Sequence, residues 1–141
     1  MLKNIDPLLS GALLTTIDSM KPGDWLTLAG SEYSAPSSAS TVIDVGDATM
    51  EAAATAILSI MPLDDDGEAP IAFRDANDNA DDMPDVAFAV RGIAADAELR
   101  RVGMSSVTPD DFAALAKQSV LTVRAEKNGS PHAFMLRKGH C

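Results

Sequence analysis

Apolar residues recur at helical spacing near the start of the chain. Leu9, Leu13, Ile17 and Met20 form one stripe, as an amphipathic helix requires. Asp6-Pro7 offers an N-cap and a first-position proline, and Pro22-Gly23 stops the run. "WLTLA", residues 25–29, then reads as a buried strand, "GSEYSAPSSAS" as a loop and "TVIDV" as a second strand. Asp47 is placed to cap a second helix, in which Met50, Ala53, Ala54, Ile57, Leu58 and Met61 share a face before Pro62 ends it. "PIAFRDA" predicts a third strand. Residues 85–101 predict a helix despite Gly92, which costs about 1 kcal/mol at an interior helical position.

In "TPDDFAALAKQ", Thr108 is the expected N-cap, Pro109 the first helical residue, and Asp111 stands where a capping box usually has Glu. "SVLTVRAE" and "HAFMLRKG" flank "KNGS", and Asn128-Gly129 is a type I′ turn signal. Strands alternating with helices imply a three-layer α/β/α sandwich, with a mainly parallel mixed sheet ending in an antiparallel hairpin. No internal repeat is evident, and residues 1–141 are expected to form one domain.

Composition narrows the partners. Hydrophobic residues make up 46% of the 141 and aromatics only 4%, so Ala, Leu, Val, Ile and Met must fill the interior. A formal charge of −10 disfavours nucleic acid, whose binders need a basic surface, and equally an anionic membrane surface. No apolar stretch approaches the roughly 18 residues that span a bilayer, and Asp6-Pro7 interrupts what a signal peptide would keep apolar. The expectation is a cytoplasmic protein without a membrane partner. Cys141, the single cysteine, cannot form an internal disulfide.

Familiar catalytic signatures are missing. There is no GxGxxG, no GxxxxGK[ST] and no GxSxG. His132 and His140 do not form a recognisable metal set with one terminal cysteine, so no metal is expected.

The ordered pattern as a whole resembles the ribose pyranase / fucose mutarotase family. "MLKNIDPLLSGALLTTIDSMKPGD" is similar to that family's opening "L…I.P.LL…LL..L..MGHGD". "TVIDV", "AILSIMPLD", "ELRRVG" and "FAALAKQSVLTVRAE" continue the likeness, and "HAFMLRKG" resembles the closing "YGN..L.KG". The resemblance implies a cofactor-free isomerase of carbohydrate metabolism that interconverts cyclic forms of monosaccharides such as ribose and fucose. It also implies a homodecamer of two stacked pentameric rings, with each sugar site between neighbouring subunits. Ring opening needs one proton delivered to the ring oxygen and another removed from the anomeric hydroxyl, work suited to a histidine.

By that resemblance, Pro22 occupies the place of the catalytic histidine and Gly30 that of a carboxylate. Pro131 and Ala133 take the places of the closing tyrosine and asparagine, and Pro109 falls near a family arginine. The catalytic positions are thus lost while the scaffold pattern persists. Glu32, Tyr33 and His132 are candidate substitutes, an acid, a hydroxyl and a base, or simply polar residues at loop edges. Arg124 and Lys127 are candidates for contacting sugar hydroxyls, or a solvated pair of charges. Two functions remain open: a divergent member that binds or interconverts a monosaccharide, and a non-catalytic oligomeric scaffold or regulator linked to sugar uptake or metabolism.

The acidic middle raises one more possibility. Nine of the 21 carboxylates lie between Asp64 and Asp85, with Arg74 the only base among them. Asp75, Asn77 and Asn79 alternate like the start of an EF-hand loop. The sixth position, however, is Ala80 rather than glycine and the twelfth is Val86 rather than glutamate, which removes the sharp turn and the bidentate ligand. Calorimetric titration with calcium is expected to give no saturable signal below about 100 μM, within the sensor-to-extracellular range.

Overall fold

A computed structural model of the chain describes residues 10–30, 42–46, 48–64, 69–74, 85–126 and 132–139. Among them are helices α1 (Gly11–Ser19), α2 (Met50–Leu58), α3 (Asp85–Glu98) and α4 (Pro109–Ala116). The strands are β1 (Trp25–Gly30), β2 (Val42–Asp44), β3 (Ile71–Arg74), β4 (Met104–Val107), β5 (Ser119–Ala125) and β6 (Ala133–Arg137).

Helix starts follow hydroxyl caps. Ser10, Thr49 and Thr108 each sit in extended backbone and accept an N–H three residues on, from Leu13, Ala52 and Asp111 at 3.1–3.2 Å. Each bond satisfies one of the orphan donors of a first turn. Thr108-Pro109 is the start expected from sequence. The other two differ: α1 begins at Ser10 rather than Asp6-Pro7, and α2 is capped by Thr49 rather than Asp47. Asp6, Pro7 and Asp47 lie outside the described residues. The difference follows from placement, because Ser10 and Thr49 directly precede the helical backbone and reach its N–H groups.

The six strands form one sheet in the order β2-β5-β1-β6-β3-β4. All run parallel except β6, which is antiparallel to both β1 and β3. The mixed, mainly parallel sheet is therefore the expected one, with an antiparallel last strand. Its pairing is not that of a hairpin, since β1 lies between β5 and β6. Asn128-Gly129 falls outside the described residues. Burial explains the placement: Ala133, Phe134, Met135 and Leu136 are all buried, so β6 needs cover on both faces and takes a central slot. The edges go to the short, more exposed β2 and β4, as suits strands with an unpaired side. β4 had no clear apolar pattern to reveal it.

Helices cover both faces. Leu13 and Ile17 of α1, Met50, Ala54 and Ile57 of α2, and Ala87, Val90 and Ala94 of α3 pack on Leu26, Leu28, Leu121, Val123, Phe134 and Leu136. On the other face, Phe112 and Ala116 of α4 meet Ala29, Ala72, Ala133 and Met135. The alanines there let a helix sit close to the sheet. The three-layer α/β/α arrangement follows from these two clusters.

The end of β6 ties the frame together. The N–H of Gly139 donates to the Pro62 carbonyl at 2.8 Å. A Cβ at position 139 would come within 2.5–2.8 Å of three backbone atoms of Leu63 and Asp64, so only glycine fits without a backbone shift. Gly139→Ala is expected to lower stability by about 1–3 kcal/mol, the usual cost of overpacking, read as a lower midpoint in urea denaturation.

Candidate functional site

The positions singled out in the sequence separate onto the two ends of β1. Pro22 sits before its first residue and Gly30 is its last. At about 3.3 Å per residue, the two ends of the strand stand roughly 17 Å apart, with Pro22 lying before the first of them. No single copy can bring both to one small ligand.

At the leading end, residues 21–24 form a type II turn. The Asp24 N–H donates to the Lys21 carbonyl at 2.9 Å, and Gly23 has φ +92. Pro22 occupies the turn position where φ near −65° is favoured, and Gly23 the one that requires φ above zero. Asp24 also accepts the Lys21 N–H through Oδ2 at 2.8 Å. Pro22 itself is exposed.

Lys138, at the trailing end of β6, holds this turn in place. Its carbonyl accepts the Gly23 N–H at 2.7 Å, and its N–H donates to the Asp24 carbonyl at 2.8 Å. Its ammonium is buried and donates to the carbonyls of Ile17 and Met20, each at 2.8 Å. These are carbonyls at the C-terminus of α1, where helix backbone acceptors lack partners and a cation is favoured. No basic residue of α1's own last turn does this job. A cleft of about 410 Å³ opens alongside, lined by Leu14, Ile17, Asp18, Ile60, Pro62 and Lys138.

At the other end of β1, the Gly30 N–H donates to the His132 carbonyl at 2.8 Å. His132 is partly buried and stands just before Ala133, which pairs with Ala29. Arg124 pairs with Ala29 on one side and with Asp44 on the other. The structure thus brings Gly30, His132, Ala133 and Arg124 to one edge of the sheet and leaves Pro22 at the opposite edge. Strand alternation puts Arg124 on the α4 face with Ala29 and Ala133, whereas Gly30 and Ala125 belong to the other face. Glu32, Tyr33, Lys127 and Pro131 lie outside the described residues.

Two carboxylates at this edge were not singled out from sequence. Asp44 closes β2 and accepts the Gly46 N–H through Oδ1 at 2.7 Å. Glu126 follows β5 with φ +52, and its N–H donates to the Ala48 carbonyl at 2.8 Å. A non-glycine residue in that region of backbone space is uncommon and concentrates near functional sites. The signal that could have found both is their place at the carboxyl ends of parallel strands, where open α/β sheets bind ligands. Among the described residues, no group of three or more His, Cys, Asp or Glu could hold a metal ion. None of the described helices is long and apolar enough to cross a membrane.

An open, mainly parallel sheet with ionisable groups at its strand ends defines an α/β protein suited to small polar ligands. The chain belongs to the RbsD / FucU transport protein family, whose profile matches residues 3–140. It resembles the crystal structure of the protein Atu2016, a candidate sugar binding protein, at 27% identity and a TM-score of 0.91, covering 100% of this chain and 97% of that one. It is also similar to the fucose mutarotase from Streptococcus pneumoniae solved with L-fucose, at 26% identity and a TM-score of 0.85 over 99% of each chain. RbsD from Bacillus subtilis, solved with D-ribose, shares the fold at 14% identity and a TM-score of 0.74, over 100% of this chain and 99% of that one. No curated protein sequence matches at a comparable level.

The grip of Lys138 on α1 can be tested directly. Lys138→Met keeps much of the buried stem but strips the Ile17 and Met20 carbonyls of their donor. A loss of about 2–3 kcal/mol is expected, the scale of hydrogen bonds to a charged group, with fastest hydrogen exchange at the end of α1 and in the 21–24 turn.

Proposed function

We propose that this chain is a divergent sugar-handling member of its family. On this reading it takes a cyclic monosaccharide at the boundary between subunits and has lost the proton-transfer groups of an efficient mutarotase. The observation that carries the reading is the contrast across β1. The frame around Pro22 and Gly30 is intact, yet neither residue can donate or accept a proton through its side chain. Their separation along the strand also favours a site completed by a second copy, since one chain holds only half of each constellation. The sugar-bound fucose mutarotase, alike over nearly the whole chain, supports a free sugar as ligand.

The groups left for such a ligand lie at the carboxyl edge of the sheet. His132 is the base we assign to any residual proton transfer, with Glu32 and Tyr33 as its proposed companions. Arg124 and Lys127 would donate to sugar hydroxyls, and Asp44 and Glu126 would accept from them. No cofactor enters this scheme, because both proton transfers need only positioned acids and bases. We assign the protein to the cytoplasm and to a decamer of two pentameric rings, the assembly implied by the family resemblance. The second reading is a non-catalytic ring that serves protein contacts in sugar uptake or metabolism. It is favoured by Pro22, which stiffens a turn where chemistry would need a side chain that can carry a proton.

Saturation-transfer and exchange NMR with L-fucose, D-ribose and other aldoses separates the two. The expected result is sugar binding with anomer exchange near the spontaneous rate. Positioned acid–base groups contribute about 10²–10⁴-fold each, and two are missing. Any residual acceleration should vanish in His132→Ala. Pro22→His should fold at a cost of about 0.4–1 kcal/mol, the scale of losing a compatible proline, and should restore little exchange by itself. Absence of all sugar binding would favour the scaffold. Strong catalysis indifferent to changes at Glu32, Tyr33 and His132 would reject this account of the site.

A further inference from the structure

We propose that the cleft between α3 and the segment that follows it binds a nucleoside monophosphate, with the phosphate on Arg91 and Arg101 and the base over Phe88 and Gly92. The cleft measures about 640 Å³, and Phe88, Arg91, Gly92, Ala95, Arg101 and Gly103 line it. That volume suits a small-molecule site, for which roughly 300–1,000 Å³ is usual. The cleft opens next to the start of β4, three strands away from β1. It is therefore separate from the sheet edge assigned to a sugar.

Charge points to an anion. The chain carries a formal charge of −10, yet neither Arg91 nor Arg101 forms an ion pair among the described residues. Arg91 rests instead over the Phe88 ring at 5.3 Å. Asp96 and Glu98 of the same helix do not line the cleft, and Glu98 is turned to Arg100 at 3.4 Å. The turn after α3 sets the second arginine in place. Leu99, at φ +57, takes the left-handed position that ends a helix, and the Arg100 N–H returns to the Ala95 carbonyl at 3.3 Å. Arg100 also donates to the Leu63 carbonyl at 3.4 Å, and Val102 is buried. Arg101 is thus exposed at the cleft between two anchored neighbours. The bond to Ala95 also occupies one of the helix-end carbonyls that would otherwise repel an anion.

The rest of the lining narrows the ligand. A phosphomonoester carries roughly −1.5 to −2 charges at pH 7, which two guanidinium groups match, each able to hold two phosphate oxygens. Inorganic phosphate alone would leave most of the cleft empty. Phe88 is 49% exposed, and with the Arg91 guanidinium it offers a stacking surface for a flat ring. Gly92 extends that surface. A Cβ built there meets nothing within 4 Å, so packing inside the chain gives no reason for a helix-weakening glycine. Close approach of a ligand to the helix backbone does, and Ala95, one turn on, keeps the floor low. A base on this floor and a phosphate on the arginines together use the whole lining.

This site stands independently of the sugar reading. Calorimetry and hydrogen-exchange mass spectrometry are run with AMP, adenosine and inorganic phosphate on the unmodified chain, Arg101→Gln and Gly92→Leu. Both positions are exposed, so circular dichroism should show a folded subunit in each variant. AMP is expected to bind saturably and to protect residues 88–103. It should bind about tenfold or more tighter than adenosine or phosphate, the scale of one hydrogen bond to a charged group. Arg101→Gln should weaken AMP and phosphate alike by about tenfold. Gly92→Leu should weaken AMP by a similar factor and leave phosphate unchanged, because it fills the floor and spares the arginines. AMP binding that protects the segment around Arg124 and His132 instead, or that neither substitution weakens, would overturn this site. AMP no tighter than inorganic phosphate would overturn the place of the base and the ligand class with it. Absence of saturable AMP binding would overturn the proposal outright, whatever the sugar titrations show.

Discussion

The reversed strand in the middle of the sheet is the constraint on which the rest depends. β6 runs against its neighbours β1 and β3, so its two ends reach opposite edges. At its start, the His132 carbonyl accepts the N–H of Gly30. At its finish, Lys138 binds the Gly23–Asp24 backbone and the last carbonyls of α1, while Gly139 closes on Pro62. One short segment thereby fixes both termini of β1, the end of the first helix and the exit of the second. β5 ends and β6 begins on either side of the carboxyl end of β1, which sets His132 at the edge where Arg124, Asp44 and Glu126 already stand.

Much of this was legible because the forces that produce it are local. The apolar stripe of α1, the two-sided burial of β1 and β5 and the Thr108-Pro109 cap each follow from side chains acting on nearby backbone. The pairing of β6 was not, since a turn signal such as Asn128-Gly129 speaks only to neighbours in sequence. The slot was decided by Phe134 and Leu136 facing one layer and Ala133 and Met135 the other. β4 was missed because Ser105 and Ser106 give an edge strand no apolar alternation. On the site, reading by resemblance led to Pro22 and Gly30 but not to the distance between them, which is a property of the strand. Asp44 and Glu126 escaped notice because their meaning comes from position at the sheet edge rather than from any motif.

The local physics also separates residues that the frame holds in place from residues that it leaves free to vary. Lys138 and Gly139 are fixed by main-chain contacts: an ammonium on helix carbonyls, and a glycine with no room for a Cβ. Changing either disturbs several elements together. Pro22 is different. Its neighbours Lys21, Gly23 and Asp24 make the turn's hydrogen bonds, and its own side chain projects outward. A type II turn accepts proline or many other residues at that position, provided the next one tolerates positive φ. The turn therefore keeps its shape whether or not it carries a proton-transfer group, and the fold exerts no pressure to retain one. On the function proposed above, the side chains that meet a sugar are those at the other edge of the sheet, together with what a second copy brings to them.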